Sequence, residues 1–138
     1  MAEVLLRRML DEAGRPDITA SSAGSAAIDG APASEGAYLV ALEQGLDLSG
    51  HRARLLTPGL IEEADLVLTM SRGHLARVAR LGGADRAHLL GEYAGLTGAS
   101  AEVRDPFGSD VETYRATFMQ LRVILAAARD RLLSEPRA

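Results

Sequence analysis

Cysteine is absent from the 138 residues of this chain. Its absence excludes disulfides, thiolate metal sites and a cysteine nucleophile within this sequence. Tryptophan is absent too, and aromatic residues make up 4% of the chain, too few for the stacking platforms that bind single-stranded nucleic acids. We therefore expect neither disulfide cross-linking nor base recognition.

Surplus positive charge and long apolar runs are also missing. Lys plus Arg number 15 against 19 Asp plus Glu, a formal net charge of -4, so nucleic acid is not an expected partner. No apolar run approaches the roughly 20 residues of a membrane span, so no membrane association is expected. Acidic residues near the N-terminus argue against a transit peptide, and the expected location is the cytoplasm.

The remaining composition fits one soluble domain spanning residues 1–138. Apolar residues make up 47% of the chain and charged residues 25%, both ordinary for globular proteins. The length is near the common size for a single hydrophobic core, and we see no internal repeat. The sequence therefore predicts a single domain.

Hydrophobic periodicity predicts helices that alternate with short strands. Predicted helices cover residues 1–13, 34–44, 58–63, 71–81 and a long segment after a capping box at Ser109, with further caps at Ser34, Thr57 and Ser71. Predicted strands cover 17–24, 65–70 and 87–90, while 91–104 is predicted to be an irregular loop. The apolar run 65–70 is typical of a strand buried on both faces. This alternation predicts an α/β fold with a mostly parallel sheet flanked by helices.

The segment Arg104-Asp105-Pro106-Phe107-Gly108 places a carboxylate in a stiff turn before the longest predicted helix. Proline fixes its own φ and restricts the preceding residue, so Asp105 is held in an extended backbone conformation. Such rigid placement suits a general acid, because proton transfer depends first on position. On spacing alone, a simple turn with an aspartate at a helix start is the commoner interpretation.

Other constellations give weaker signals. His51, His74 and His88 lie on different predicted elements without paired spacing, so no metal site is predicted. A Ser-His-Asp hydrolase could combine Ser22, His51 and Asp105, although no Gly-x-Ser-x-Gly elbow is present.

Signals for anion and nucleotide sites are also weak. Gly-rich dinucleotide and Walker patterns are missing, and no cofactor is predicted. Arg52 and Arg54 could clamp an anion, but loop arginines are more often merely solvated.

Five segments in order carry a family resemblance. They are Met1-Ala2-Glu3, Ser22-Ala23-Gly24, the loop 45–54, the run 64–70 and Asp105-Pro106-Phe107-Gly108. Together they resemble the low-molecular-weight protein tyrosine phosphatase family, which also contains bacterial protein arginine phosphatases and arsenate-reductase relatives. The resemblance spans essentially the whole chain and implies a three-layer α/β sandwich.

The resemblance implies phosphoryl transfer from a phosphorylated protein or small phosphate ester. In the family, a cysteine of a Cys-x5-Arg loop forms a cysteinyl-phosphate, and the aspartate of an Asp-Pro loop protonates the leaving group and then activates water. By match, Asp105 would be this general acid and base. Ser22 and His51 would support the phosphate loop through hydrogen bonds, and Phe107 would lie at the substrate rim.

The sequence departs from the family pattern at one decisive point. In the family, the phosphate loop and its feeding strand precede the Met-Ala-Glu segment, and neither they nor the catalytic cysteine and arginine have a match here. Two explanations compete: an N-terminally incomplete chain, favoured by the otherwise complete site, and a natural non-catalytic relative that binds anions or partners. A plain structural or interaction module is weaker still. In each case we expect these 138 residues to be inactive as a phosphatase.

The same departure affects the predicted fold and substrate. Without the interior first strand, we expect a gap beside 17–22, a strand borrowed from a neighbouring chain in a homo-oligomer, or a shifted sheet with exposed apolar edges. The motif Asp-Pro-Phe-Gly is more like the arginine phosphatase branch than the tyrosine-specific branch, which usually has tyrosines after the proline. Phosphotyrosine and phosphoarginine both remain open as substrates.

Overall fold

The structure, a computed structural model, describes residues 1–135 and combines helices with two short parallel strands. The elements are α1 (Ala2–Glu12), α2 (Glu35–Glu43), α3 (Pro58–Glu63), β1 (Val67–Thr69), α4 (Arg72–Val78), β2 (Ala87–Leu89), α5 (Leu90–Tyr93) and α6 (Val111–Ser134). A π-helical turn at Ala79–Gly83 ends the helix predicted over 71–81, with Gly82 at a φ of 99°. The region 91–104, predicted to be irregular, contains the end of α5 and a 3-10 turn at Gly98–Ala101. No helix within residues 1–135 is long and apolar enough to cross a bilayer.

Two of the four predicted helix caps are confirmed. The Thr57 hydroxyl accepts a hydrogen bond from the Leu60 amide at 3.2 Å, and Ser71 accepts one from the His74 amide at 3.2 Å. Each bond satisfies one of the N–H groups that a helix start leaves without an intrahelical partner. In both cases the residues directly after the cap form a helix, as the sequence predicts.

The other two predicted caps differ in the structure. Ser34 stands at the N-cap position of α2 as predicted, but its hydroxyl makes no capping bond and instead shares a hydrogen bond with the Tyr114 hydroxyl of α6 at 3.0 Å. The predicted capping box at Ser109 is replaced by Asp110, whose carboxylate accepts from the Thr113 amide at 2.9 Å and from the Thr113 hydroxyl at 2.7 Å. These two bonds lower the pKa of Asp110. A carboxylate is the stronger acceptor, so the helix begins one residue later than predicted.

The sheet contains β1 and β2 in parallel, with Leu68 opposite His88. It confirms strands within the predicted ranges 65–70 and 87–90. The predicted strand at 17–24 is wrong. Of the residues in this stretch, only Gly24 pairs with another part of the described chain, through an isolated parallel bridge to Leu55. Its carbonyl groups at Ala20 and Ser22 accept hydrogen bonds from arginine side chains instead of from a neighbouring strand.

One edge of β1 is open, and this exposes a strand predicted to be buried on both faces. The Val67 amide donates to the Arg86 carbonyl at 3.0 Å, so in a parallel ladder Val67 and Thr69 bond to β2 while Leu68 points its N–H and C=O to the other side. Val67 and Leu68 are accordingly only half-buried. Among the described residues, β1 therefore pairs with β2 alone, and the gap expected beside 17–22 stays a prediction.

The core lies where α6 packs on α1, α2 and α5. Phe118 of α6 is 1% exposed and Leu10 of α1 is 2% exposed. Helices α2 and α6 approach so closely that a Cβ at Gly36 would lie 2.5 Å from the Tyr114 ring. The helices therefore form one tightly packed side of the molecule, and the short sheet forms the other.

Candidate functional site

Ser22 and His51 come together on one partly buried carboxylate, that of Glu3. The Ser22 hydroxyl donates to Glu3 Oε1 at 2.7 Å, and His51 Nδ1 lies 3.9 Å from Glu3 Oε2. Arg7, one turn further along α1, places Nη1 3.3 Å from the same Oε2. The Glu3 side chain is 12% exposed. We call Glu3, Ser22 and His51 the carboxylate cluster.

The position of Glu3 in the first turn of α1 is electrostatically favourable, because the helix dipole presents partial positive charge there. The pair Glu3–Arg7, with the acid N-terminal to the base at i,i+4, adds to this. Ser22 reaches the carboxylate because Arg7 Nε donates to the Ala20 carbonyl at 2.8 Å and holds the stretch before Ser22 against α1. Helix α1 therefore organises the cluster.

His51 is positioned by the loop that follows α2. The Asp47 carboxylate accepts from the Ser49 amide at 2.8 Å and from the Ser49 hydroxyl at 2.9 Å, and these bonds lower the pKa of Asp47. The His51 amide donates to the Leu48 carbonyl at 3.1 Å, and Leu48 is itself 2% exposed in the core. A local turn and one buried anchor thus fix the histidine.

Asp105 lies in a separate, exposed turn at the carboxyl end of β1. The Val103 amide donates to the Met70 carbonyl at 2.8 Å, so the segment leading to Asp105 is attached to the end of the strand. Asp105 Oδ1 accepts from the Phe107 amide at 3.0 Å, and the Phe107 side chain is 78% exposed. The turn closes with a bond from the Ser109 amide to the Pro106 carbonyl at 2.8 Å. The carboxylate is therefore held by its own turn and open to solvent.

The structure brings two of the predicted site residues together and leaves the others apart. Within residues 1–135, no hydrogen bond or ion pair joins Asp105 to Ser22 or His51. The Ser22 hydroxyl donates its hydrogen bond to Glu3, so the arrangement of a Ser-His-Asp hydrolase, in which the serine hydroxyl donates to histidine, is not assembled. Asp105 lies near the carboxyl end of β1, because Val103 is bonded to Met70, whereas Ser22 lies just before the isolated bridge of Gly24 to Leu55.

The remaining histidines do not extend the site. His88 lies on β2 with its ring 5.5 Å from the Tyr93 ring, and the His74 amide serves the cap of α4. The described residues contain no group of three His, Cys, Asp or Glu side chains that could hold a metal ion.

Glu3 is the site residue that the sequence interpretation missed. An acidic residue in the first turn of a helix, four positions before an arginine, is a signal of an ordered carboxylate. The same pattern is common in solvent-exposed helices, so only the contacts of Ser22 and His51 distinguish it.

Sequence comparisons identify the family of this chain. The family model described as low molecular weight phosphotyrosine protein phosphatase matches residues 1–135. A protein-arginine-phosphatase of Bacillus subtilis is 32% identical over 139 residues, covering 99% of this chain and 90% of that protein. A probable low molecular weight protein-tyrosine-phosphatase, EpsP of Ralstonia solanacearum, is 32% identical over 127 residues, covering 91% of this chain and 77% of that protein.

Solved structures give the same result. The YwlE arginine phosphatase superposes with a TM-score of 0.89 at 31% identity, covering 99% of this chain and 88% of that one. The low molecular weight protein tyrosine phosphatase of T. tengcongensis superposes with a TM-score of 0.86 at 32% identity, covering 94% of this chain and 88% of that one. The predicted α/β class, with a parallel sheet flanked by helices, is therefore confirmed.

Proposed function

Because the chain belongs to the low molecular weight phosphotyrosine protein phosphatase family, we propose that it is a phosphatase domain for phosphorylated proteins in which Asp105 is the general acid and base. Ser22 and His51 support the phosphate site. The observation that carries this proposal is that the two side chains, distant in sequence, are held together by Glu3 beside the N-terminal end of α1. Phe107 lies at the substrate rim.

The role of Asp105 is supported by the geometry of its turn. One carboxylate oxygen is occupied by the Phe107 amide, while the other has no partner among residues 1–135. An exposed, rigidly held oxygen of this kind is suited to protonate a leaving group and then to take a proton from water. Its attachment to the end of β1 through Val103 would keep it in place during both steps.

The nucleophile is the part of the mechanism that these 138 residues do not contain, since cysteine is absent. Without a thiolate no cysteinyl-phosphate forms, so there is no intermediate toward which Asp105 could activate water. We therefore expect no measurable hydrolysis of a generic aryl phosphate by this chain. Turnover that disappears in Asp105→Asn would contradict this expectation.

A non-catalytic relative that binds anions or phosphorylated partners is the second candidate, and the absence of cysteine favours it. A chimera separates the two candidates. In it, the first strand and phosphate loop of the Bacillus subtilis protein-arginine-phosphatase precede Met1. Restored turnover, reduced about 10²- to 10⁴-fold in kcat by Asp105→Asn, supports the phosphatase. A folded chimera that binds phosphate without turnover supports the binding module.

On substrate, the proposal favours phosphoarginine over phosphotyrosine. It rests on Phe107 and Gly108 after the Asp-Pro pair, where the tyrosine-specific branch usually has tyrosines. Both branches occur among relatives of equal identity, so sequence similarity does not separate them. The same chimera decides the matter, because a higher kcat/KM on phosphotyrosine peptides than on phosphoarginine peptides would exclude this preference.

A further inference from the structure

Two exposed arginines lie beside the carboxylate cluster without a carboxylate partner. Arg54 Nε makes one long bond, to the Ser22 carbonyl at 3.4 Å, and Arg52 Nη1 donates to the carbonyls of Ser49 at 3.1 Å and His51 at 2.7 Å. Among residues 1–135, no Asp or Glu oxygen lies within 4 Å of either guanidinium. The terminal N–H groups of Arg54 therefore remain available as a fork for an anion.

The backbone that carries these arginines is held on both sides. The Gly24 amide donates to the Arg54 carbonyl at 2.9 Å and the Leu56 amide donates to the Gly24 carbonyl at 2.9 Å. On the other side, the Ala53 amide donates to the Ala31 carbonyl at 2.8 Å. Because the segment is bonded along its length, little backbone order would be lost when a ligand binds.

Arg52 and Arg54 lie two residues apart, directly before the bridge residue Leu55. Leu55 pairs in parallel with Gly24, and residues two apart in extended backbone point to the same side, about 7 Å from each other. The Asp29 carboxylate accepts from the Leu55 amide at 2.6 Å, so its charge is bonded to the backbone. The chain as a whole has a formal net charge of -4, so this face is a local basic patch on an acidic protein.

We propose that Arg52 and Arg54 select phosphorylated segments that carry acidic side chains next to the phosphorylated residue. The proposal rests on the proposed function, because it places the phosphate at the site that Ser22 supports. A carboxylate adjacent to the phosphorylated residue then reaches the free fork of Arg54, and a second one reaches Arg52. The substrate class is an acidic phosphorylated peptide segment, recognised by charge-assisted hydrogen bonds.

The test measures binding to the chain of 138 residues by NMR titration at low ionic strength. The probes are a phosphoarginine peptide with glutamate on both sides, the same peptide with alanine at those positions, and the unphosphorylated form of each. The variant is R52Q/R54Q. Its matched control is R77Q/R80Q, which removes the same charge from two exposed arginines that have no carboxylate partner among the described residues.

We expect glutamate flanks to tighten binding about 10-fold, and R52Q/R54Q to reduce that ratio to less than about 2-fold while R77Q/R80Q retains it. The Arg54 Nε–Hε resonance should shift with the glutamate peptide. This readout tests the proposal in the unmutated chain even if the double variant unfolds. The proposal is overturned if glutamate flanks tighten binding equally in R52Q/R54Q and R77Q/R80Q, or if they do not tighten binding to the unmutated chain. The phosphate-dependent ratio is separate, and its absence would contradict the proposed function alone.

Discussion

The helical side and the sheet side of this protein differ greatly in how completely they are buried. Phe118, Ile124 and Leu125 of α6 are 1–3% exposed, and this helix contacts α1, α2 and α5 along its length. The sheet has two three-residue strands, with Val67 and Leu68 only half-buried and one edge of β1 unpaired. Burial of apolar surface is the main favourable term in folding, so the stability of this domain resides mainly in its helices.

The difference has a functional consequence, because the two parts of the candidate site depend on different sides. The carboxylate cluster is built on α1, whose Leu5 and Met9 are buried in the helical core. The Asp105 turn is attached to the end of β1, on the sheet side. Damage to the helices should therefore disturb the cluster and the whole fold, while damage to the sheet edge should act mainly near Asp105.

The largest expected effect comes from truncating the helical core. Phe118→Ala should reduce the free energy of unfolding by about 3–5 kcal/mol, because it leaves a cavity where α6 is fully packed. Leu68→Ala, at a half-buried position of β1, should cost about 1–2 kcal/mol. Urea denaturation measures both, and Val123→Ala, 70% exposed on the same helix as Phe118, is the control with a change below about 0.5 kcal/mol. Equal costs for Phe118→Ala and Leu68→Ala would contradict the comparison.

A smaller effect is expected where the helical side meets the site. Glu3→Ala removes the acceptor of the Ser22 hydroxyl and the charge facing Arg7 and His51, and should cost about 1–3 kcal/mol in unfolding free energy. Glu3→Gln should cost less, because its amide oxygen can still accept from Ser22. The control is Glu12→Ala, at an exposed position of the same helix. A loss for Glu3→Ala no greater than for Glu12→Ala would show that the cluster is not an ordered contact.

Much of the helical side was predictable from the sequence because local rules determine it. The three- and four-residue spacing of apolar side chains fixed α1 and α6 within a few residues, and Thr57 and Ser71 capped their helices as predicted. The failures at Ser34 and Ser109 arose from competition, since Tyr114 and Asp110 offered better hydrogen bonds than the local pattern could reveal. A helix cap can be predicted from the local sequence only when no other residue competes for the capping hydrogen bond.

The sheet side was less predictable because a strand depends on its neighbour. The segment 17–24 has acceptable strand composition, but without a paired partner its backbone is satisfied by Arg7 and Arg54. Glu3 was missed for a related reason. Its role follows from contacts with residues distant in sequence, whereas the stiffness of the Asp105 turn follows from Pro106 directly after it.

The final prediction tests the open edge of β1 without any substitution. The amides of Val67 and Thr69 point toward β2 in the parallel ladder, and the Leu68 amide between them points away from it. Hydrogen exchange followed by NMR should therefore find the Leu68 amide exchanging about 100-fold faster than either neighbour, with the neighbours as internal controls.

Equal protection of all three amides would mean that another strand covers this edge. Protection of Leu68 that rises with protein concentration would identify a second copy of the chain as its source, since association depends on concentration and folding of one chain does not. Concentration-independent protection would instead require a strand from the same chain. Fast exchange at Leu68 is therefore the result that agrees with a two-stranded sheet, and with a site whose acid is attached to the less stable side of the protein.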